Sequence, residues 1–300
     1  MKREEKPKII AIVGPTAVGK TSFSLILAEK LGAEIVSADS RQVYRGLDIG
    51  SGKATSEERS RIPHHLLDVA EPDDVFTAAD FVRLGREAIA DIARRGKVPL
   101  LVGGTGFYID ALIGTVSLAD VPPNAELRET LQGQAADELY ARLREEDHAA
   151  ANRIDSRNPV RLIRALEIIE ALGEVPASHP EALYDVLSIG LTLPNEMLKQ
   201  RIHERLADRL DAGMLNEAKR LHAEGVSYER METLGLEYRY MARHLEGMLS
   251  YQEMKDELDK EIWRYAKRQM TWFKRNTSML WIAPDERETA FAKAEAFLSV

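Results

Sequence analysis

Gly14-Pro15-Thr16-Ala17-Val18-Gly19-Lys20-Thr21 decides the fold. The stretch reads G-x-x-x-x-G-K-T, follows a β-branched run from Lys8 to Val13, and opens an amphipathic helix expected over Thr21 to Leu31. That order makes a phosphate cradle. Backbone N–H groups of the loop and first helical turn converge on one concavity, Lys20 adds a mobile positive charge, and the Thr21 hydroxyl can reach a Mg²⁺. Working outward, Glu34 to Ser37 reads as a short buried strand that gives way to Ala38-Asp39-Ser40-Arg41-Gln42-Val43-Tyr44, the ligand side of a parallel sheet. Residues 51–74 read as loop with a short helix, and Thr77 to Arg95 as an amphipathic helix ending at Gly96. A third strand, Lys97 to Val102, runs into Gly103-Gly104-Thr105-Gly106-Phe107-Tyr108, a second Gly-rich turn whose helix continues to about Ile113. This alternation predicts a parallel α/β sheet with right-handed crossovers.

The rhythm changes near Thr115. Between Pro122 and Leu172 there is no strand signal, only helical stretches over 125–132, 136–146, 148–154 and 159–172. Strand character returns from Tyr184 to Leu191, followed by helices over 195–212, 215–224, 228–246 and 251–274, a terminal strand over 279–282 and a closing helix over 286–298. The expected organisation is a P-loop NTPase-like parallel sheet flanked by helices, built from 1–116 and 183–300, with an all-helical insertion domain over 117–182.

Composition narrows the function classes. Of 300 residues 44% are hydrophobic and 30% charged, as in an ordinary soluble enzyme. The net charge of −8 means that any nucleic-acid surface must be a local basic patch. Without a cysteine there is neither a disulfide framework nor a thiolate metal site, which fits a reducing compartment. The charged start, Met1 to Lys6, has no signal-peptide core, and no apolar run approaches membrane-spanning length. A cytoplasmic protein with no membrane partner is expected, and a monomer.

Asp39 is the second anchor: a carboxylate at the end of a strand beside the P-loop can hold Mg²⁺ or act as a general base. Thr105 lies where three glycines allow close backbone approach to a ligand, or its hydroxyl simply caps the next helix. Arg201, Arg205 and Arg209 recur every four residues and share a helix face. Such a stripe is either solvated or leans one guanidinium over the cradle as a clamp for a leaving pyrophosphate. Two local basic patches stand out on this acidic chain. Arg157 with Asn158-Pro159-Val160-Arg161-Leu162-Ile163-Arg164-Ala165 starts a helix, and Tyr265-Ala266-Lys267-Arg268-Gln269-Met270-Thr271-Trp272-Phe273-Lys274-Arg275 interleaves cations with aromatics. The second suits phosphate contact with base stacking, although Trp272 and Phe273 equally suit a core.

Together these segments resemble the tRNA isopentenyltransferase (tRNA dimethylallyltransferase) family over nearly the whole length. The carriers are Gly14 to Thr21, Ser37 to Tyr44, Gly103 to Tyr108, Asn158-Pro159 with Arg161 and Arg164, and Tyr265 to Gln269. The resemblance implies transfer of a dimethylallyl group from dimethylallyl diphosphate to N6 of adenosine 37, in tRNAs that read codons beginning with U. It implies the diphosphate in the cradle, Mg²⁺ near Thr21, Lys20 and Arg205 neutralising the leaving pyrophosphate, Asp39 as the base for the N6 proton, and Thr105 on the bridging oxygen. Asp39, Ser40, Arg41, Gln42 and Thr105 would hold the flipped adenosine. Arg161, Leu162, Ile163, Arg164 and Ala165 would grip the anticodon stem-loop, with Lys267, Arg268 and Gln269 on RNA backbone at the other side. The chain departs from the usual bacterial pattern at Gly235-Leu236-Glu237-Tyr238-Arg239, where Gly-Tyr-Lys-Glu is common, and at Ile262-Trp263-Arg264. The rival reading is an ATP-dependent small-molecule kinase, which shares loop and sheet.

Overall fold

The computed structural model describes residues 6–177 and 181–299; the first five residues of the charged start lie outside them. The chain forms two compact units, one of 1–115 with 182–300 and one of 116–181.

The first unit begins β1 (Lys8–Val13), α1 (Lys20–Leu31), β2 (Glu34–Ala38), α2 (Ser56–Arg61), β3 (His64–His65), α3 (Ala78–Arg94), β4 (Pro99–Gly103) and α4 (Gly106–Ile113). The second unit holds α5 (Ala125–Leu131), α6 (Ala136–Glu146), α7 (His148–Ala151) and α8 (Pro159–Leu172). The first then resumes with β5 (Asp185–Leu191), α9 (Asn195–Asp211), α10 (Met214–Ala223), α11 (Tyr228–Thr233), α12 (Leu236–Leu245), α13 (Tyr251–Phe273), β6 (Leu280–Ile282) and α14 (Arg287–Ser299).

All six strands are parallel, in the order β3-β2-β4-β1-β5-β6. Ile9 to Val13 are five consecutive buried apolar residues, the pattern of a strand covered on both faces. Ile10, Ile12 and Leu100 are fully buried, and trimming one such isoleucine to alanine costs about 2–5 kcal/mol. The order corrects one expectation. β2 is not beside the P-loop strand, because β4 pairs with both β1 and β2 and lies between them. The Thr105 turn therefore sits centrally, with the P-loop on one side and Asp39 on the other.

Other differences have local causes. α1 buries Phe23, Ser24, Leu25, Leu27 and Ala28, more than half its circumference, because the sheet lies on one side and α14 packs on another; it is not a one-faced helix. The helix expected over 228–246 breaks at Gly235, whose φ of +138° no helix accommodates. The break frees the Thr233 carbonyl, which accepts from Arg41 Nη1 at 2.9 Å. β3, two residues long, is too short for sequence periodicity to register.

In the second unit Leu131, Leu139, Leu143, Leu162, Leu166 and Ile169 form the core. The buried Glu167 carboxylate takes two bonds from Arg128, at 2.6 and 2.9 Å, and one from the Asn124 N–H at 2.8 Å. Among the described residues no helix is long and apolar enough to cross a membrane.

Candidate active site

Loops leaving the C-terminal ends of β1, β4 and β2 meet side by side, and residues from α9, α12 and α13 complete a cavity of about 750 Å³. The first loop is the cradle. Gly14 takes φ +146° and passes so close to β5 that a Cβ would lie 2.6 Å from the Leu191 carbonyl oxygen. Ala17 holds φ +62°, a strained conformation for a residue with a side chain. Pro15 and Val18 are buried, so these positions present backbone rather than side chains. Lys20 folds over the loop, its ammonium donating to the carbonyls of Gly14 at 2.9 Å and Pro15 at 2.8 Å. Burial, reinforced by Arg205 and opposed by Asp39, lowers its pKa to about 7. Thr21 lines the cavity from the first turn of α1.

Asp39 is anchored through one oxygen. Oδ1 accepts the Arg41 N–H at 2.8 Å and the Gln42 N–H at 3.4 Å, while Oδ2 has no partner among the described residues. Thr105 stands at the N-cap of α4 but its hydroxyl does not cap; Oγ1 instead accepts the Ser40 N–H at 3.1 Å, and Tyr265 from α13 lies beside it in the cavity lining. Burial first, and Asp39 second, push the Tyr265 phenol above its ordinary range. Asp39 and Thr105 are thus held within one hydrogen-bonded corner. Gln42 is committed within the protein, its Oε1 accepting from Ser37 Oγ at 2.9 Å and its Nε2 donating to the Gly52 carbonyl at 3.1 Å. Ser40 and Arg41 line the cavity.

Of the arginine stripe, Arg205 and Arg209 turn inward while Arg201 stays exposed. Arg201 Nη1 donates to the Val18 carbonyl at 3.3 Å, and Arg209 Nη1 reaches the Gly50 carbonyl at 3.3 Å and Glu237 at 3.5 Å. Between them Arg205 lines the cavity and makes no hydrogen bond or ion pair with any described residue. Burial and the neighbouring Arg209 depress its pKa, which records the cost of holding that charge without an anion. Lys20 and Arg205 together give the cavity a cationic corner.

The three glycines of the second turn make room for protein rather than ligand. A Cβ at Gly103 would lie 2.0 Å from the Ala38 carbonyl oxygen, at Gly104 2.2 Å from Gln269 Nε2, and at Gly106 2.1 Å from the Trp272 ring. On α13, Arg268 is exposed and lines the cavity, whereas Lys267 lies on another face with its ammonium 5.6 Å from the Trp263 ring centroid. Gln269 is buried: Oε1 accepts the Thr16 N–H at 2.8 Å and Nε2 donates to the Gly104 carbonyl at 2.9 Å. This side chain is occupied inside the protein, which corrects its assignment to RNA backbone. Phe273 is core, and Trp272 donates to Asp110 at 2.9 Å. In the second unit Leu162 and Ala165 are core residues, and their burial likewise removes their side chains from RNA contact. Ile163 packs partly against that core, Arg164 bonds the Val121 carbonyl at 2.6 Å and Glu167 at 3.2 Å, and Arg161 is exposed.

Sequence reasoning missed the support beneath the arginines. Gly52, at φ +61°, lies so close to them that a Cβ would sit 1.6 Å from Arg209 Nη2 and 3.1 Å from Arg205 Nη2. Its loop is fixed by the buried Glu217, which accepts the N–H groups of Asp48, Ile49 and Gly50 at 2.8–3.0 Å and the Tyr238 hydroxyl at 2.7 Å. A buried acid 167 residues beyond the loop it holds leaves no local signal.

Mg²⁺ fits the donor set in one way. Among the described residues no group of three or more His, Cys, Asp or Glu could cage a metal. A hydroxyl beside a phosphate cradle suits an ion that keeps several waters and takes the rest of its shell from substrate oxygens.

The chain is similar to known proteins over most of its length. The sequence model of the IPP transferase family matches residues 42–276. The tRNA dimethylallyltransferase of Anoxybacillus flavithermus is 41% identical over 280 residues, covering 91% of this chain and 89% of the relative. The tRNA dimethylallyltransferase 1 of Syntrophotalea carbinolica is 43% identical over 292 residues, covering 93% and 92%. The solved full-length tRNA isopentenylpyrophosphate transferase of Bacillus halodurans superposes with a TM-score of 0.75 at 36% identity, covering 98% of this chain and 97% of that one. A eukaryotic dimethylallyltransferase, solved acting on tRNA, superposes at 0.74 with 28% identity, covering 89% and 69%.

Proposed function

The chain belongs to the IPP transferase family, and from that membership we propose that it transfers the dimethylallyl group of dimethylallyl diphosphate to N6 of adenosine 37 in the anticodon loop of tRNA. The observation that carries the reading is the pairing, in one cavity, of a cationic corner with a carboxylate whose outer oxygen has no partner among the described residues. Loop amides, Lys20 and Arg205 hold the diphosphate and neutralise the charge that grows on it as the C–O bond breaks. Adenine N6 is a poor nucleophile because its lone pair is delocalised into the ring, so its proton must leave as the C–N bond forms. Asp39 Oδ2 takes that proton. The Thr105 hydroxyl, positioned by the Ser40 N–H, addresses the bridging oxygen. Thr21 would hold Mg²⁺, which supplies further neutralisation of the diphosphate.

A base inside the anticodon stack cannot reach this cavity, so the adenosine is flipped out, with Ser40, Arg41 and Arg268 at the lining to receive it and its neighbours. Arg161 in the second unit contributes phosphate contact to the stem-loop. The kinase reading is not favoured by the relatives above, which carry transferase names.

The test is incubation with unmodified tRNA, dimethylallyl diphosphate and Mg²⁺, followed by nucleoside mass spectrometry. Isopentenyladenosine is expected. No product, together with strong thermal stabilisation by ATP–Mg²⁺ and none by dimethylallyl diphosphate, would overturn the reading in favour of a kinase.

A further inference from the structure

We propose that Gln269 is a positioning residue: its buried carboxamide fixes the spacing between the loop that holds the diphosphate and the turn that carries Thr105. The role rests on the transferase reading above. One face of α13 supports that turn three times. Tyr265 lies beside the Thr105 hydroxyl, Gln269 four residues on bonds the Gly104 carbonyl, and Trp272 fills the space beside Gly106. Gln269 alone continues across to the cradle through the Thr16 N–H. Beyond the strand pairing that ends at Val13 and Gly103, no other hydrogen bond among the described residues joins the two loops.

The chemistry of the link singles out an amide. One end must accept from a backbone N–H and the other must donate to a backbone carbonyl, which Gln does and Glu cannot, since a carboxylate would face the Gly104 oxygen with no proton to offer. Burial makes each unmade bond costly, so the link holds one length. Gly104 is part of the device, because any side chain there would collide with Nε2. In alkyl transfer the leaving oxygen, the migrating carbon and N6 must lie in line, and a slip of about 1 Å costs on the order of 10²-fold in rate. The cradle sets the first of these positions and the Thr105 corner sets the last.

The experiment compares Gln269→Glu, Gln269→Met and Gly104→Ala with wild type. Turnover should fall about 30- to 100-fold, while Kd for pyrophosphate and for tRNA stays within about threefold and the salt dependence of tRNA binding keeps its slope. Amide exchange in peptides covering 14–20 and 103–107 should rise in all three variants without any substrate. In a Gln269→Ala background, Gly104→Ala should add no further loss, since the colliding atom is gone. Near wild-type turnover with weaker tRNA binding would overturn the proposal and return Gln269 to RNA contact. Lost turnover with unchanged exchange in both peptides would overturn it too. Should wild type make no isopentenyladenosine while exchange still rises in the variants, the spacing role stands and the transferase reading falls.

Discussion

Pyrophosphate binding should draw a proton from solution, and Lys20 is the reason. Enclosed by its own loop and set beside Arg205, its ammonium is held down to about 7 from an ordinary 10.5. A group of that pKa is about nine-tenths protonated at pH 6 and about one-tenth at pH 8. A bound anion favours the charged form, so binding restores the missing proton, with uptake of about 0.1 per site at pH 6 and about 0.9 at pH 8. Affinity is therefore full below the free-protein pKa and is lost as pH rises through it, by about tenfold between pH 6 and pH 8. Isothermal titration in two buffers of different ionisation enthalpy reads the uptake directly. Lys20→Arg, whose guanidinium stays charged over this range, is the reference in which the ligand's own protonation cancels. The wild type should take up about 0.9 more proton than the variant at pH 8, and about 0.1 more at pH 6. Equal uptake in the two proteins at pH 8 would refute the argument that Lys20 sits deprotonated beneath the loop.

Asp39→Asn keeps an oxygen for the Arg41 N–H, so pyrophosphate and tRNA should bind normally while turnover falls by at least about 10²-fold; a mild loss would remove Asp39 as base. Arg161→Ala should lower the salt slope of tRNA binding by about one, whereas Arg164→Ala, which strips the Val121 carbonyl and Glu167 of a partner, should cost about 1.5 kcal/mol or more in thermal unfolding. An unchanged slope for Arg161→Ala would assign that residue to structure. Gly52→Ala forces a side chain into a left-handed conformation and into both guanidiniums, so fluorescence-monitored pyrophosphate binding should weaken about tenfold and stability should drop by about 1–2 kcal/mol; unchanged affinity would show that the arginines do not depend on this loop.

The sheet, the insertion and the strand-end placement of the candidate residues are legible because each has a local signature: the loop from Gly14 to Thr21 by spacing, Asp39 and Thr105 by the apolar runs that precede them, the helical insertion by its lack of strand pattern. What the sequence hid is what depends on long-range order. Nothing near Glu34 to Ala38 says that β4 will intervene between it and β1, and so the central place of Thr105 was missed. Nothing near Gln269 reveals that its partner is Thr16, 253 residues away. The glycines around Thr105 show the same limit from the other side. Their spacing announces close approach, yet only the packing shows that a carbonyl, an amide and an indole are what approach.

The N–H of Leu183 donates to the carbonyl of Ile113 at 3.4 Å, so the chain leaves the first unit and re-enters it at neighbouring points. The 66 intervening residues, 116–181, behave architecturally as a cassette spliced into a closed circuit. Replacing them with a few glycines and serines should leave the sheet, the cradle and the Asp39–Thr105 corner intact. Such a minimal protein would let leaving-group binding be measured apart from whatever the cassette contributes to the second substrate.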